Sequence, residues 1–307
     1  MINIALFIAS EKGYFGLKNA IQNGLANKIK FVATFKETNV TKSYDEDIEE
    51  LCRQNKINHY KWAEVKNNLL HIMEKLHIDI AFTISWKFLI DTNINKILKF
   101  GLVVFHDSLL PKYRGFAPTP TAIMCGEKKI GISALLAVDG VDEGDIILQK
   151  EIEVDDDDYI ADIINKEAHI CADMITEIIK AAETGSLVYK KQDHSQATYS
   201  IWRNPEDCKI DWSNSAVDIR NMIRAVSDPY PGAYFFYNGR KVIVDKAELT
   251  EDMNFAIRQH GKIWQIISNC PIVICGKGMI KITRAHYEDG SPVTFNKLRI
   301  NLNMEVV

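Results

Sequence analysis

Along the first half of the chain, short runs of consecutive apolar residues alternate with longer stretches in which apolar positions recur every three or four residues. The runs at 2–8 (INIALFI), 29–35 (IKFVATF), 79–84 (DIAFTI) and 102–106 (LVVFH) are rich in β-branched and aromatic side chains and predict strands. Between them, 15–25 (FGLKNAIQNGL), 45–55 and 64–76 (EVKNNLLHIMEKL) predict helices. Strand alternating with helix predicts a mostly parallel sheet, and such sheets bind ligands at the carboxyl ends of their strands. His106 stands at one such end. Gly13 and Gly16, after the first run, predict a plain turn into a helix, because SEKGYFG lacks the glycine spacing of a dinucleotide fingerprint.

Two further strands are expected at 130–138 and 145–152, joined by the turn DGVDEG. One long helix is then expected from Val154 to a stop at Gly185, with Asp155–Asp158 favouring its N-terminus through the helix dipole. Periodicity is lost over 187–212, which marks a boundary. Beyond it lie a short helix at 215–226, a hairpin signal at Asn238–Gly239, and β-rich runs at 262–267, 271–275 and 279–285, the pattern of a small β-barrel. The expected division is a first domain over 1–190, a linker over 191–212 and a second domain over 213–307.

Composition narrows this picture. An apolar fraction of 47% and a charged fraction of 25% over 307 residues supply the core of two globular domains. With 37 basic against 41 acidic residues the net charge is −4, so no global cationic field recruits nucleic acid or an anionic membrane. The first apolar run lacks a basic leader and is too short to span a membrane. Six cysteines without a CxxC pair predict reduced thiols rather than disulfides or a metal site, hence a cytoplasmic protein without a metal.

Chemistry concentrates in FHDSLLPKYRG, residues 105–115. Pro111 stiffens a loop that follows a strand end, a means of preorganising a site. Asp142, in the turn DGVDEGD, is suited to orient the His106 imidazole or to stabilise its protonated form, and Gly144 keeps that turn slim. An Asx-type turn residue is the alternative reading of Asp142.

HDSLLPKYRG, followed by AIMCGEKKIGIS and DEGDII, resembles the consecutive signatures of the folate-dependent formyltransferase family. IRAVSDPYPGAYF resembles the start of the C-terminal domain of its larger members. The resemblance implies an α/β fold, a Rossmann-like mostly parallel sheet followed by a small C-terminal OB-like barrel. It implies 10-formyltetrahydrofolate as cosubstrate, with His106 reaching the formyl group, Asp142 supporting His106, and Ser108, Leu109, Leu110 and Pro111 beside the folate. Trp86 and Phe88, in the run 82–90, correspond to the family's pterin-lining region; packing as ordinary core aromatics is the alternative. One departure stands out. The family's Asn two residues before the histidine, expected to polarise the formyl oxygen, is Val104 here, and loss of an oxyanion donor commonly costs about 10²–10³ in rate. Ser133, where the family often has Thr, keeps the hydroxyl.

The acceptor is expected to be a nucleotide-linked amino sugar. Family members acting on tRNA resemble one another in a long basic loop after the second strand, whereas 36–50 here holds two lysines against six carboxylates. Residues 205–307 carry 13 basic against 12 acidic side chains, a poor balance for phosphate-driven binding. Tyr113, Arg114 and Gly115 are expected near the acceptor, and Arg203 and Asn204 match positions near the sugar-nucleotide site, with an interdomain salt bridge as the alternative role for Arg203. No nucleic acid or membrane partner is expected, and the sequence leaves open a homo-oligomer. Transfer to methionyl-tRNA and a non-catalytic folate- or nucleotide-binding protein are the alternatives.

Overall fold

Every residue of β1 (Ile4–Ile8) is buried, as a strand covered on both faces requires. The computed structural model describes residues 2–303 apart from 39, 41 and 299. After β1 come α1 (Ser10–Ala20), β2 (Ile29–Thr34), α2 (Asp45–Gln54), β3 (His59–Lys61), α3 (Trp62–Val65), α4 (Leu69–Lys75), β4 (Ile80–Ile84) and β5 (Leu102–His106). They are followed by β6 (Arg114–Gly115), α5 (Pro118–Met124), β7 (Lys129–Leu136), β8 (Ile146–Glu153), α6 (Ile160–Thr184) and β9 (Tyr199–Ser200). The sheet order is β3-β2-β1-β4-β5-β7-β8, parallel from β3 to β5 and antiparallel across β7 and β8. Strand order reverses between β1 and β4, the switch point at which such sheets open a crevice.

The chain divides into two compact units. One comprises the residues up to Pro118 with Lys129–Glu153 and Asp162–Ile201; the other comprises Thr119–Lys128, Val154–Ala161 and the chain from Trp202 onward. In the second unit, α7 (Ala216–Val226) packs on a five-stranded antiparallel sheet of β10 (Ala233–Tyr237), β11 (Arg240–Thr250), β12 (Ile263–Ile267), β13 (Cys270–Ile274) and β14 (Met279–Tyr287). Its order is β10-β11-β14-β13-β12. The β10–β11 hairpin turns on Asn238 (φ 53°) and Gly239 (φ 72°), the two left-handed residues of a type I′ turn. Ser215 caps α7 by accepting the Asp218 amide.

Three sequence expectations are corrected. The first helix begins at Ser10, so Gly13 lies inside it; a Cβ there would stand 3.1 Å from the Ile8 side chain, which explains the glycine by close helix–strand packing. The helix expected over 64–76 is two: α3 ends at Val65, and Asn68, with non-helical φ −122° and ψ 17°, stands at the N-cap position of α4 without a side-chain cap bond. Asp155–Asp158 precede α6 rather than opening it: Asp158 accepts the Asp155 amide, while Arg224 donates to the carbonyls of Asp155 and Asp158. The Asp155 carbonyl also accepts the Asp158 amide, so these residues close a separate turn ahead of the helix. Gly185, at φ 70°, does end α6.

Candidate active site

β5 delivers His106 to the carboxyl end of the sheet, opposite Ser133 of β7. The ring is 6% exposed. Its Nε2–H donates to the Tyr113 carbonyl at 2.8 Å, and Nδ1 stands 3.4 Å from Asp142 Oδ2. Both ring nitrogens therefore face acceptors. A neutral ring satisfies one of them, and a ring protonated on both nitrogens satisfies both. Asp142 adopts φ 52° in the turn between β7 and β8, and its Oδ2 also accepts the Gly115 amide at 2.8 Å. Gly144 is needed in that turn, because a Cβ would fall 1.7 Å from the Leu136 carbonyl.

The loop after His106 is pinned from several sides. Ser133 is fully buried; its hydroxyl donates to the Ser108 carbonyl and accepts from the Leu110 amide and from Gln149. Ser108 donates to the Lys112 carbonyl, and Leu110 packs with Leu135 and Ile146. Leu109 lies against Gly131, where a Cβ would come within 2.5 Å of it. Leu110–Pro111 is a cis peptide. On the far side, β6 pairs in parallel with β9: Thr198 accepts the Tyr113 amide, and the Ser200 hydroxyl contacts the carbonyls of Tyr113 and Arg114.

Arg114 is 1% exposed, with its guanidinium held by Gln192 (2.8 Å), His194 (3.2 Å) and Glu143 (3.4 Å). Val104 packs on Leu110, Leu135 and Ile146, so this position contributes apolar contact and no hydrogen-bond donor. Beneath the loop, the buried ammonium of Lys12 pairs with Asp107 and, at 3.4 Å, with Glu167 of α6. Burial alone would push this lysine down, but the two carboxylates outweigh it and hold the ammonium above the ordinary lysine range.

Trp86 and Phe88 belong to an aromatic cluster with Phe7, Phe35 and Trp62, with ring centroids 4.9–6.0 Å apart. Phe88 is 38% exposed, and the buried Trp86 Nε1 has no hydrogen-bond partner. A buried donor without an acceptor beside a half-open ring fits a flat heterocycle carrying acceptor atoms. A cleft of about 830 Å³ opens beside Phe88, lined by residues including Trp62, Lys66, Leu69, Leu89 and Ile90 but not by Trp86, His106 or Asp142. Among the described residues no cluster of three or more His, Cys, Asp or Glu is arranged for a metal, and no helix is long and apolar enough to cross a membrane.

The structure thus brings His106, Asp142, Tyr113 and Gly115 together, buries Arg114, Ser108 and Leu110 as scaffold, and gathers Trp86 and Phe88 in a separate aromatic cluster. Arg203 and Asn204 lie in the second unit. There Arg203 Nη1 is buried without a partner, and Asn204 donates its amide to Asp207 at the start of a short helical turn. Sequence reading missed Gln192, Thr198 and Ser200, which fall in the aperiodic stretch and act through partners 48 to 87 residues away.

Comparison with known proteins matches residues 2–179 to the formyl transferase family and residues 203–299 to the formyl transferase C-terminal domain. The chain is 31% identical over 259 residues to the methionyl-tRNA formyltransferase of Caldanaerobacter subterraneus subsp. tengcongensis, covering 84% of this chain and 82% of that protein. An N-formyltransferase from Helicobacter canadensis, solved with folinic acid and dTDP-3-aminofucose, has the same fold: TM-score 0.67, 18% identity, 92% of this chain and 99% of that one. The methionyl-tRNA formyltransferase from Clostridium thermocellum gives a TM-score of 0.58 at 23% identity, covering 81% and 94%. With both of its parts matched, the chain belongs to the formyl transferase family and is a folate-dependent N-formyltransferase.

Proposed function

We propose that the chain moves the formyl group of 10-formyltetrahydrofolate to the amine of a nucleotide-linked amino sugar, at a site built on His106 and Asp142. In this reaction the acceptor nitrogen bonds to the formyl carbon and the bond from that carbon to the folate nitrogen breaks. One proton must travel from the amine to the folate nitrogen. With the Nε2 proton given to the Tyr113 carbonyl, the neutral His106 ring presents the Nδ1 lone pair beside Asp142. A proton accepted there is stabilised by the carboxylate and can be returned to the leaving nitrogen. Trp86 and Phe88 are the residues that fit the pterin.

The observation that carries the choice of acceptor is the charge pattern. The segment joining β2 to α2 is short and runs into carboxylates at Asp45, Glu46 and Asp47. On the second unit's sheet, Arg240, Lys241, Lys281 and Arg284 are each paired with a carboxylate, namely Asp289, Glu288, Glu248 and Asp245. Cations already neutralised release few counterions from a polynucleotide, whereas a sugar nucleotide needs only a few contacts to its diphosphate. The N-formyltransferase from Helicobacter canadensis, solved with dTDP-3-aminofucose, is consistent with that acceptor class. Six unpaired thiols fit a reducing, cytoplasmic setting.

A second reading, transfer to methionyl-tRNA, is favoured by the relatives at 31% identity, which carry that name. Incubation with 10-formyltetrahydrofolate and a panel of nucleotide-linked amino sugars, read by the mass gain of one formyl group, tests the proposal. No product from any sugar, with charged initiator tRNA formylated instead, selects the second reading.

A further inference from the structure

The two halves of the site come from separate loops, and one buried side chain joins them. Gln192, 6% exposed in the stretch after α6, donates from Nε2 to the carbonyls of Asp142 (2.7 Å) and Gly144 (2.8 Å). Its Oε1 accepts from Arg114 Nη2 at 2.8 Å. Both amide protons and one acceptor site are thus used. The neighbours also fix the amide's orientation, since a flipped group would set its oxygen against two carbonyls and its nitrogen against a guanidinium.

We propose that Gln192 is a positioning residue, which with Arg114 locks the turn carrying Asp142 to the loop following His106 and so sets the carboxylate against the imidazole. The inference rests on the reading of His106 and Asp142 as the transfer site. Asp142 needs such support because it holds φ 52°, a conformation costly for a residue other than glycine. Its backbone carbonyl is anchored by Gln192, while its Oδ2 spans the gap between the Gly115 amide and His106 Nδ1. Arg114 reaches the same turn a second time through Glu143. Arg114 therefore acts from behind the site rather than on the acceptor, as its 1% exposure also requires.

Gln192→Glu separates the two contacts. The variant keeps its length and an acceptor for Arg114 but loses both donors to the turn. We expect kcat to fall about 10- to 100-fold, with KM for both substrates within about threefold, because misplacing a reacting group acts on the transition state. Combined with Asp142→Asn, the loss is expected to be smaller than the product of the separate losses, since both changes act through one carboxylate. Wild-type kcat, or fully multiplicative losses, would overturn the inference. A second measurement is independent of the reaction. The Gly115 amide, which donates to Asp142, is expected to exchange with solvent about tenfold faster or more in Gln192→Glu while the amides of β1 exchange as in wild type. Unchanged Gly115 exchange rejects the lock whatever the acceptor proves to be; faster exchange without formyl transfer in the wild type rejects the reaction and leaves the lock standing. If Gln192→Glu does not accumulate folded, Gln192→Asn, too short to span both carbonyls and Arg114, is held to the same outcomes.

Discussion

Asp142 Oδ2 stands 3.4 Å from His106 Nδ1 and accepts the Gly115 amide at 2.8 Å, so one carboxylate oxygen serves the ring and fixes the loop. Asp142→Asn keeps an oxygen for Gly115 and removes the charge beside the ring. We expect kcat to drop about 10²–10⁴-fold with little change in KM and a melting temperature within a few degrees of wild type. His106→Ala should fall as far. Steady-state kinetics with thermal melting checks both, and wild-type turnover in either variant would remove that residue from the site.

Val104 stands where the family resemblance implies an oxyanion donor and supplies none; it packs on Leu110, Leu135 and Ile146. If His106 carries that task alone, Val104→Asn raises kcat about tenfold with little change in KM, as a group acting on the transition state should. Its apolar surroundings predict a stability loss of about 1–3 kcal/mol in the same variant for burying an unpaired amide. A lower kcat together with the stability loss would mean that another group already fills the oxyanion position.

Lys12 ties Asp107, the residue after His106, to Glu167 of α6. Lys12→Met leaves two carboxylates facing each other around a lost cation, and breaking a buried pair in this way costs about 3–5 kcal/mol. The sign of the pH dependence follows from the raised lysine. A base held above its unfolded value gives stability that is fully present below about pH 10.4 and is lost only as pH rises through the higher folded value. The difference in melting temperature between wild type and Lys12→Met should therefore stay constant from neutrality to about pH 10. A difference that shrinks steadily across that range would show that the lysine is not held by its carboxylates.

β1 and β4 were readable because they are buried along their whole length, and a short unbroken apolar run has few other uses, whereas the three-residue edge strand β3 carries no such run and was not expected. His106 and Asp142 were readable because each sits beside a strand end, where the chain has to turn and a ligand can approach. Other parts could not be read locally. The break at Asn68 involves no side-chain cap bond that its letter would announce, and the Asp155–Asp158 turn is held by Arg224, 66 and 69 residues away. Gln192 and Ser200 carry no periodic signal; the role of Ser200 exists only once β6 meets β9, and that of Gln192 only once its stretch meets the turn between β7 and β8. The depth of Arg114, 1% exposed, could not be read either, because its letter gives charge and not burial.

The account's central claim is that this site formylates a nucleotide-linked amino sugar, and the most direct measurement is competition in one vessel. Wild-type protein is given 10-formyltetrahydrofolate, a panel of nucleotide-linked amino sugars and charged initiator methionyl-tRNA at physiological salt, and kcat/KM is determined for every formylated product. We expect one sugar nucleotide to exceed the tRNA by about 100-fold or more, since neutralised cations give a polynucleotide little to bind. Formylated methionyl-tRNA as the dominant product would contradict the account.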